Sequence, residues 1–148
     1  MEGGYLMRLS QKADYAVRMM VDLASLPDSH RTTVSEVATR QDVPLAFMAK
    51  IVAQLAAVGL VETRRGNGGW VSLGRHARDI TFLQIVEAID GLIVFTRCTF
   101  EPTHCPRSGR CAVHSVWEKA QYQLRELLAN TLLSDIAIAQ KALATILA

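Results

Sequence analysis

A chain of 148 residues, half of them apolar and a fifth charged, with a net charge of +2, has ordinary globular composition and excludes a disordered or fibrous protein. No apolar run approaches the ~20 residues that a membrane helix needs, and the opening MEGGYLMRLS lacks the apolar core of a secretory leader. A cytoplasmic, membrane-free location is therefore expected, where three cysteines suggest metal or redox chemistry before disulfides.

In chain order, Ser10 is placed to cap a first helix in which Ala13, Val17, Met20, Val21 and Ala24 recur at helical spacing, ending near Leu26 before Pro27. Asp14 falls in its first turn, one turn from Arg18. Its plain role is to complement the helix dipole or pair with Arg18. Thr33 and Glu36 make a capping box for a short helix over 34–41. After a turn at 41–43, a third helix runs from Pro44, as its first residue, to about Val58, with Phe47, Ile51, Leu55 and Val58 as its buried stripe and Gly59 as its stop. Two short helices across a tight turn suit a helix-turn-helix. The outward positions of the third helix include Ala46, Ala49, Lys50, Ala53 and Gln54, small or polar enough to enter a major groove.

A hairpin follows, with strands over 60–64 and 70–73 around Gly66-Asn67-Gly68-Gly69. Residues 1–78 carry ten Lys and Arg against seven Asp and Glu, whereas residues 79–148 carry six against seven. Arg64, Arg65, Arg75 and Arg78 stand within 63–78 without one acid. A basic hairpin after a helix-turn-helix reads as the wing of a DNA-binding winged helix rather than a merely soluble loop. Thr81 and Gln84 cap a further helix that ends at Gly91.

All three cysteines, Cys98, Cys105 and Cys111, lie in the next stretch, FTRCTFEPTHCPRSGRCAVHSVW over 95–117, and His114 follows three positions after the last. Pro102, Pro106 and Gly109 forbid a continuous helix there, and a loop of clustered thiols is a way to hold a metal centre. From about Ala112 a long helix carries Val113, Trp117, Ala120, Leu124, Leu127 and Leu128 on one side, an apolar face suited to a homodimer seam. After a break at 130–131, a last helix over 132–148 is expected to pack back on the N-terminal half. Taken alone, three cysteines and His114 would also make a tetrahedral structural zinc site. A redox enzyme is disfavoured: the chain has no Cys-x-x-Cys and no nucleotide-binding glycine fingerprint.

The phrases MRLSQKADYAVRMM and VPLAFMAKIVAQLAAVGLVETRRGNGGWVSLG, followed by three cysteines, resemble the Rrf2-type winged-helix repressors that bind iron–sulfur clusters. The resemblance runs from Met7 to about Asp135. It implies a mainly α fold: a winged helix-turn-helix domain over 7–80, with a cluster-binding loop and dimerisation helices over 81–148. It also implies a repressor, not an enzyme, that binds a palindromic operator in double-stranded DNA as a homodimer.

Cys98, Cys105 and Cys111 match the family's cluster ligands, although six residues separate the first two here where five are common. Two branches differ in the fourth ligand. An aspartate in the first helix completes a four-iron cluster in nitric-oxide-sensitive members, and Asp14 matches it. A histidine three positions after the last cysteine completes a two-iron cluster in regulators of iron–sulfur assembly, and His114 matches that. Asp14 and a 4Fe-4S cluster are the favoured expectation, His114 and 2Fe-2S the alternative. Pro44, Ala46, Lys50, Gln54, Arg64, Arg65 and Asn67 are the expected DNA contacts, Arg65 matching an arginine that inserts into DNA in relatives. Ala49 stands where assembly regulators carry a sequence-reading glutamate, so their operator is not carried over.

Overall fold

Helix α1, Gln11–Ser25, is the element on which the others are packed. The structure, a computed structural model, describes residues 9–101, 103 and 105–148. The expected domain boundary at 7, the start of the resemblance at Met7 and the loop proline Pro102 lie outside the described residues. Ser10 caps α1 by accepting from the Ala13 amide (3.0 Å). Ala13, Ala16, Val17, Met19, Met20, Val21 and Leu23 are buried, a stripe too broad for a helix with one covered side. Helices α2 (Val34–Gln41), α3 (Leu45–Ala57), α4 (Phe82–Asp90) and α7 (Leu133–Leu147) all pack against it. Met19 and Met20 are fully enclosed. Burial of each side chain contributes about 1.5–3 kcal/mol.

The third helix begins one residue later than the sequence suggests, with Pro44 as its cap residue rather than its first turn. Its buried stripe is also rotated. Met48, Ile51, Val52 and Leu55 are buried, Phe47 is half-buried and Val58 is exposed. Val58 falls past the last helical turn, whereas Phe47 packs edge-on against Tyr15 of α1 (5.7 Å between centroids). Gly59, at φ 75°, ends the helix: its amide donates to Ala56 O and the Leu60 amide to Leu55 O, each at 3.0 Å. This paired closure needs a left-handed residue, which glycine supplies without strain.

Strands β1 (Val61–Arg64) and β2 (Trp70–Leu73) form the antiparallel hairpin, with Val61 opposite Leu73 and Arg64 opposite Trp70. Val61 of β1 and Val71 of β2 are buried in the core, and the half-buried Leu73 packs against it. A short 3-10 turn, Ala77–Asp79, leads to α4, whose capping box of Thr81 and Gln84 forms as the sequence suggests. The cysteine segment contains a single-turn helix α5, Arg97–Phe100, and a 3-10 turn, Ser108–Arg110. Helix α6, Ala112–Ala129, has no fully buried residue, and Val113, Val116, Trp117, Tyr122 and Leu127 are exposed. The chain turns at 130–132 and α7 returns to α1, its start tied by Phe82 N–H to Thr131 O and Leu133 N–H to Ile80 O, both 2.9 Å. No described helix is long and apolar enough to cross a membrane.

Candidate nucleic-acid interface and cysteine loop

The turn between α2 and α3 depends on Asp42, which adopts the left-handed conformation at φ 53°. Its amide donates to Thr39 O (3.2 Å) and that of Val43 to Ala38 O (2.9 Å), so buried Val43 closes the corner. Arg18 of α1 donates to Gln41 O (2.6 Å), satisfying a carbonyl at the end of α2. It does not pair with Asp14; its guanidinium lies 5.4 Å from the Tyr15 ring centroid. The corner thereby presents Pro44, Ala46, Ala49, Lys50 and Ala53 to solvent. Gln54 is half-buried, with its Oε1 enclosed and unpaired.

Arg64, Arg65 and Asn67 are exposed along the wing and its tip. The base of the wing is fixed from the other side. The Val71 amide donates to Thr32 O (2.8 Å), and the Arg31 guanidinium sits 4.7 Å from the Trp70 ring centroid. Thr32 is the one buried polar residue among those described. It donates to Glu36 Oε2 (2.9 Å) and accepts from Arg40 (3.1 and 3.2 Å), which in turn pairs with Asp22 of α1 (2.6 Å). The Thr33 amide and the Thr32 hydroxyl hold the Glu36 carboxyl below its usual range, and the bond to Asp22 raises Arg40. One polar network thus joins α1, α2 and the wing.

The cysteine segment starts from a second junction. Glu87 of α4 pairs with Arg125 of α6 and accepts from the Ile93 amide (3.3 Å). One turn later Asp90 accepts from the Ser10 amide (3.0 Å) and hydroxyl, at the cap of α1. Gln121 of α6 accepts from the Phe95 amide (3.2 Å) and the Thr99 hydroxyl (2.7 Å), while Phe95 stacks on Trp117 at 6.2 Å. Cys98, Cys105 and Cys111 are half-buried thiols. The Cys98 sulfur lies 3.1 Å from the Thr96 hydroxyl, and Cys111 is the cap residue of α6.

His114, one turn into α6, has a side chain only 11 % exposed; its Nε2 lies 3.2 Å from Glu118 Oε1. Its Nδ1 is enclosed without a hydrogen-bond partner, an expensive arrangement for a polar atom unless something else meets it. Asp14 is exposed in the first turn of α1. Among the described residues no three His, Cys, Asp or Glu side chains are close enough together to hold a metal ion. Cys98, Cys105, Cys111 and His114 therefore share a loop and its flanking helix, with Asp14 apart on α1, and no three of them converge. Nothing in the sequence marks Thr32, Glu87, Asp90 or Gln121 as members of these networks. Only Glu118 carries a local signal, its four-residue spacing from His114.

The model of the Rrf2 family, described as "Iron-dependent Transcriptional regulator", matches residues 9–139. The chain belongs to the Rrf2 family. It is 30% identical over 137 residues to the HTH-type transcriptional regulator IscR of Cronobacter sakazakii, covering 93% of this chain and 84% of that one. It is 29% identical to IscR of Pectobacterium atrosepticum over 130 residues, 88% of this chain and 79% of the relative. Among solved structures, T. potens IscR superposes with a TM-score of 0.71 at 27% identity, covering 91% and 90% of the two chains. The global cysteine regulator CymR of B. subtilis has a TM-score of 0.75 at 23% identity, covering 90% and 98%, a likeness of fold. As an Rrf2 member the chain is a winged-helix, DNA-binding transcriptional regulator of the repressor type and not an enzyme.

Proposed function

We propose that this regulator is a cytoplasmic repressor whose operator affinity follows the state of an iron–sulfur cluster held by Cys98, Cys105, Cys111 and a fourth donor. The unit over 7–80 reads DNA; the unit over 81–148 holds the cluster and pairs two copies through α6. Pro44, Ala46 and Lys50 face the major groove, with the half-buried Gln54 at the edge of that surface, and Arg64, Arg65 and Asn67 contact the backbone and minor groove. A symmetric dimer then matches a palindromic operator. The exposed apolar residues of α6 support the pairing.

The observation that carries the reading is the enclosed, unpaired Nδ1 of His114, one turn after Cys111. Three thiolates and an imidazole are suitable donors for such a cluster. When bound, the cluster supplies an inorganic centre that nitric oxide, oxidation or loss of iron can alter. Cys111 and His114 present their donors from the start of α6, Cys98 from α5 and Cys105 from between them. Glu87, Asp90 and Gln121 tie both ends of that segment to α1 and α6. His114 is favoured over Asp14 on this ground. Asp14 is supported by its match to the nitric-oxide-sensitive branch, and as a donor it would reach the cluster of the neighbouring subunit.

Anaerobic purification with iron and sulfide analysis, a visible spectrum and operator binding during nitric-oxide titration tests the proposal. About two irons per chain is the expected result with His114 as ligand, and about four would move the fourth site to Asp14. A colourless protein containing zinc would leave the winged helix in place and remove the sensor.

A further inference from the structure

We propose that Glu118 is a positioning residue for His114: its carboxylate accepts a hydrogen bond from Nε2–H, keeping the proton there, and so leaves Nδ1 with the lone pair available to the metal. The inference rests on the reading of His114 as fourth donor and goes beyond it, because nothing in the ligand pattern designates position 118. An imidazole in its neutral form carries one proton, and the partner of one nitrogen decides which nitrogen is bare. Here the two nitrogens have opposite surroundings. Nε2 lies 3.2 Å from Glu118 Oε1, one helical turn further along α6, whereas Nδ1 is enclosed and has no partner.

A carboxylate on the far nitrogen also fixes the plane of the ring and makes the near nitrogen a better donor, as outer partners of metal-bound histidines do. The backbone assists: the His114 amide donates to Cys111 O (3.1 Å), holding donor residue and helix cap in one turn. Glu118 is itself 58 % exposed along its side chain, so it serves no packing role that its removal would disturb.

Two measurements on the full-length protein test this. The first uses metal-free protein with nitrogen-15 histidine at roughly pH 8.5, above the ordinary imidazole range, with the His114 signals assigned through His114→Gln. The wild type should show an unprotonated Nδ1 and an Nε2 proton slow enough in exchange to be seen. Glu118→Gln, which keeps an acceptor oxygen, should retain that proton signal, and Glu118→Ala should lose it. A proton on Nδ1 in the wild type overturns the proposal.

The second measures the rate of iron loss to a chelator from reconstituted protein. Glu118→Ala should lose iron about tenfold faster, Glu118→Gln should stay near the wild-type rate, and Glu118→Ala should add nothing in a His114→Ala background. If His114→Ala alone leaves the spectrum and the rate unchanged, the fourth-donor reading falls and the proposal with it. If His114→Ala changes both but Glu118→Ala changes neither, only the role of Glu118 is refuted.

Discussion

At the scale of single residues, the helix-turn-helix corner depends on a left-handed aspartate where a glycine would sit without cost. Asp42→Gly should therefore be neutral or slightly stabilising, whereas Asp42→Val should lower stability by roughly 1–2 kcal/mol in urea unfolding. Glu36 makes a pH prediction. Its folded carboxyl is held below the ordinary range by the Thr33 amide and the Thr32 hydroxyl. Its contribution is therefore complete above the unfolded value and lost as pH falls through the lowered folded one. The melting-temperature gap between wild type and Glu36→Gln should be constant at neutral pH and close in acid. At the wing tip, Arg65→Ala should weaken operator binding and reduce the slope of affinity against salt by about two for the proposed dimer, one for each copy. The capping boxes at Thr33 and Thr81 were legible because each is a local pattern with one geometric solution. The role of Asp42 was not, since a residue's letter does not state the sign of its φ.

At the scale of elements, the order of the six longer helices and most of their ends could be read from caps, prolines and glycines, whereas the single-turn α5 could not. The apolar period of α3 was less informative. An element covered on several sides has more than one acceptable stripe, and the packing of α1 and α4 selected Met48 and Val52 over Val58. The thiol cluster was plain in the sequence, but the side chains that tether its loop, Glu87 and Gln121 on the flanking helices, follow no local pattern. Asp90 accepts two bonds from Ser10, so Asp90→Ala should cost about 1–2 kcal/mol. Amide exchange should then accelerate in the first turn of α1 and at residues 91–96, and little elsewhere. For α6 the expectation is different. Leu127 is 64% exposed, so Leu127→Glu should leave the melting temperature of the monomer nearly unchanged while sedimentation reports loss of self-association at micromolar concentration.

At the scale of the whole molecule, α1 is both the central helix of the core and the link between two polar junctions. One lies at its cap, where Ser10 meets Asp90; the other lies at Asp22, which meets Arg40. The second junction continues through Thr32 to the backbone of β2. A wing clamped in this way is tied to α1 and α2, the helices on which the recognition helix α3 packs. In the proposed dimer, α3 and the wing of each copy form one stiff tool, and a signal from the cysteine segment would reach DNA as a change in how the two tools are set relative to each other. On that proposal, repression is a problem of phasing. Inserting a single base pair between operator half-sites, which rotates one against the other by about a tenth of a turn, should damage binding as severely as losing a contact to a base.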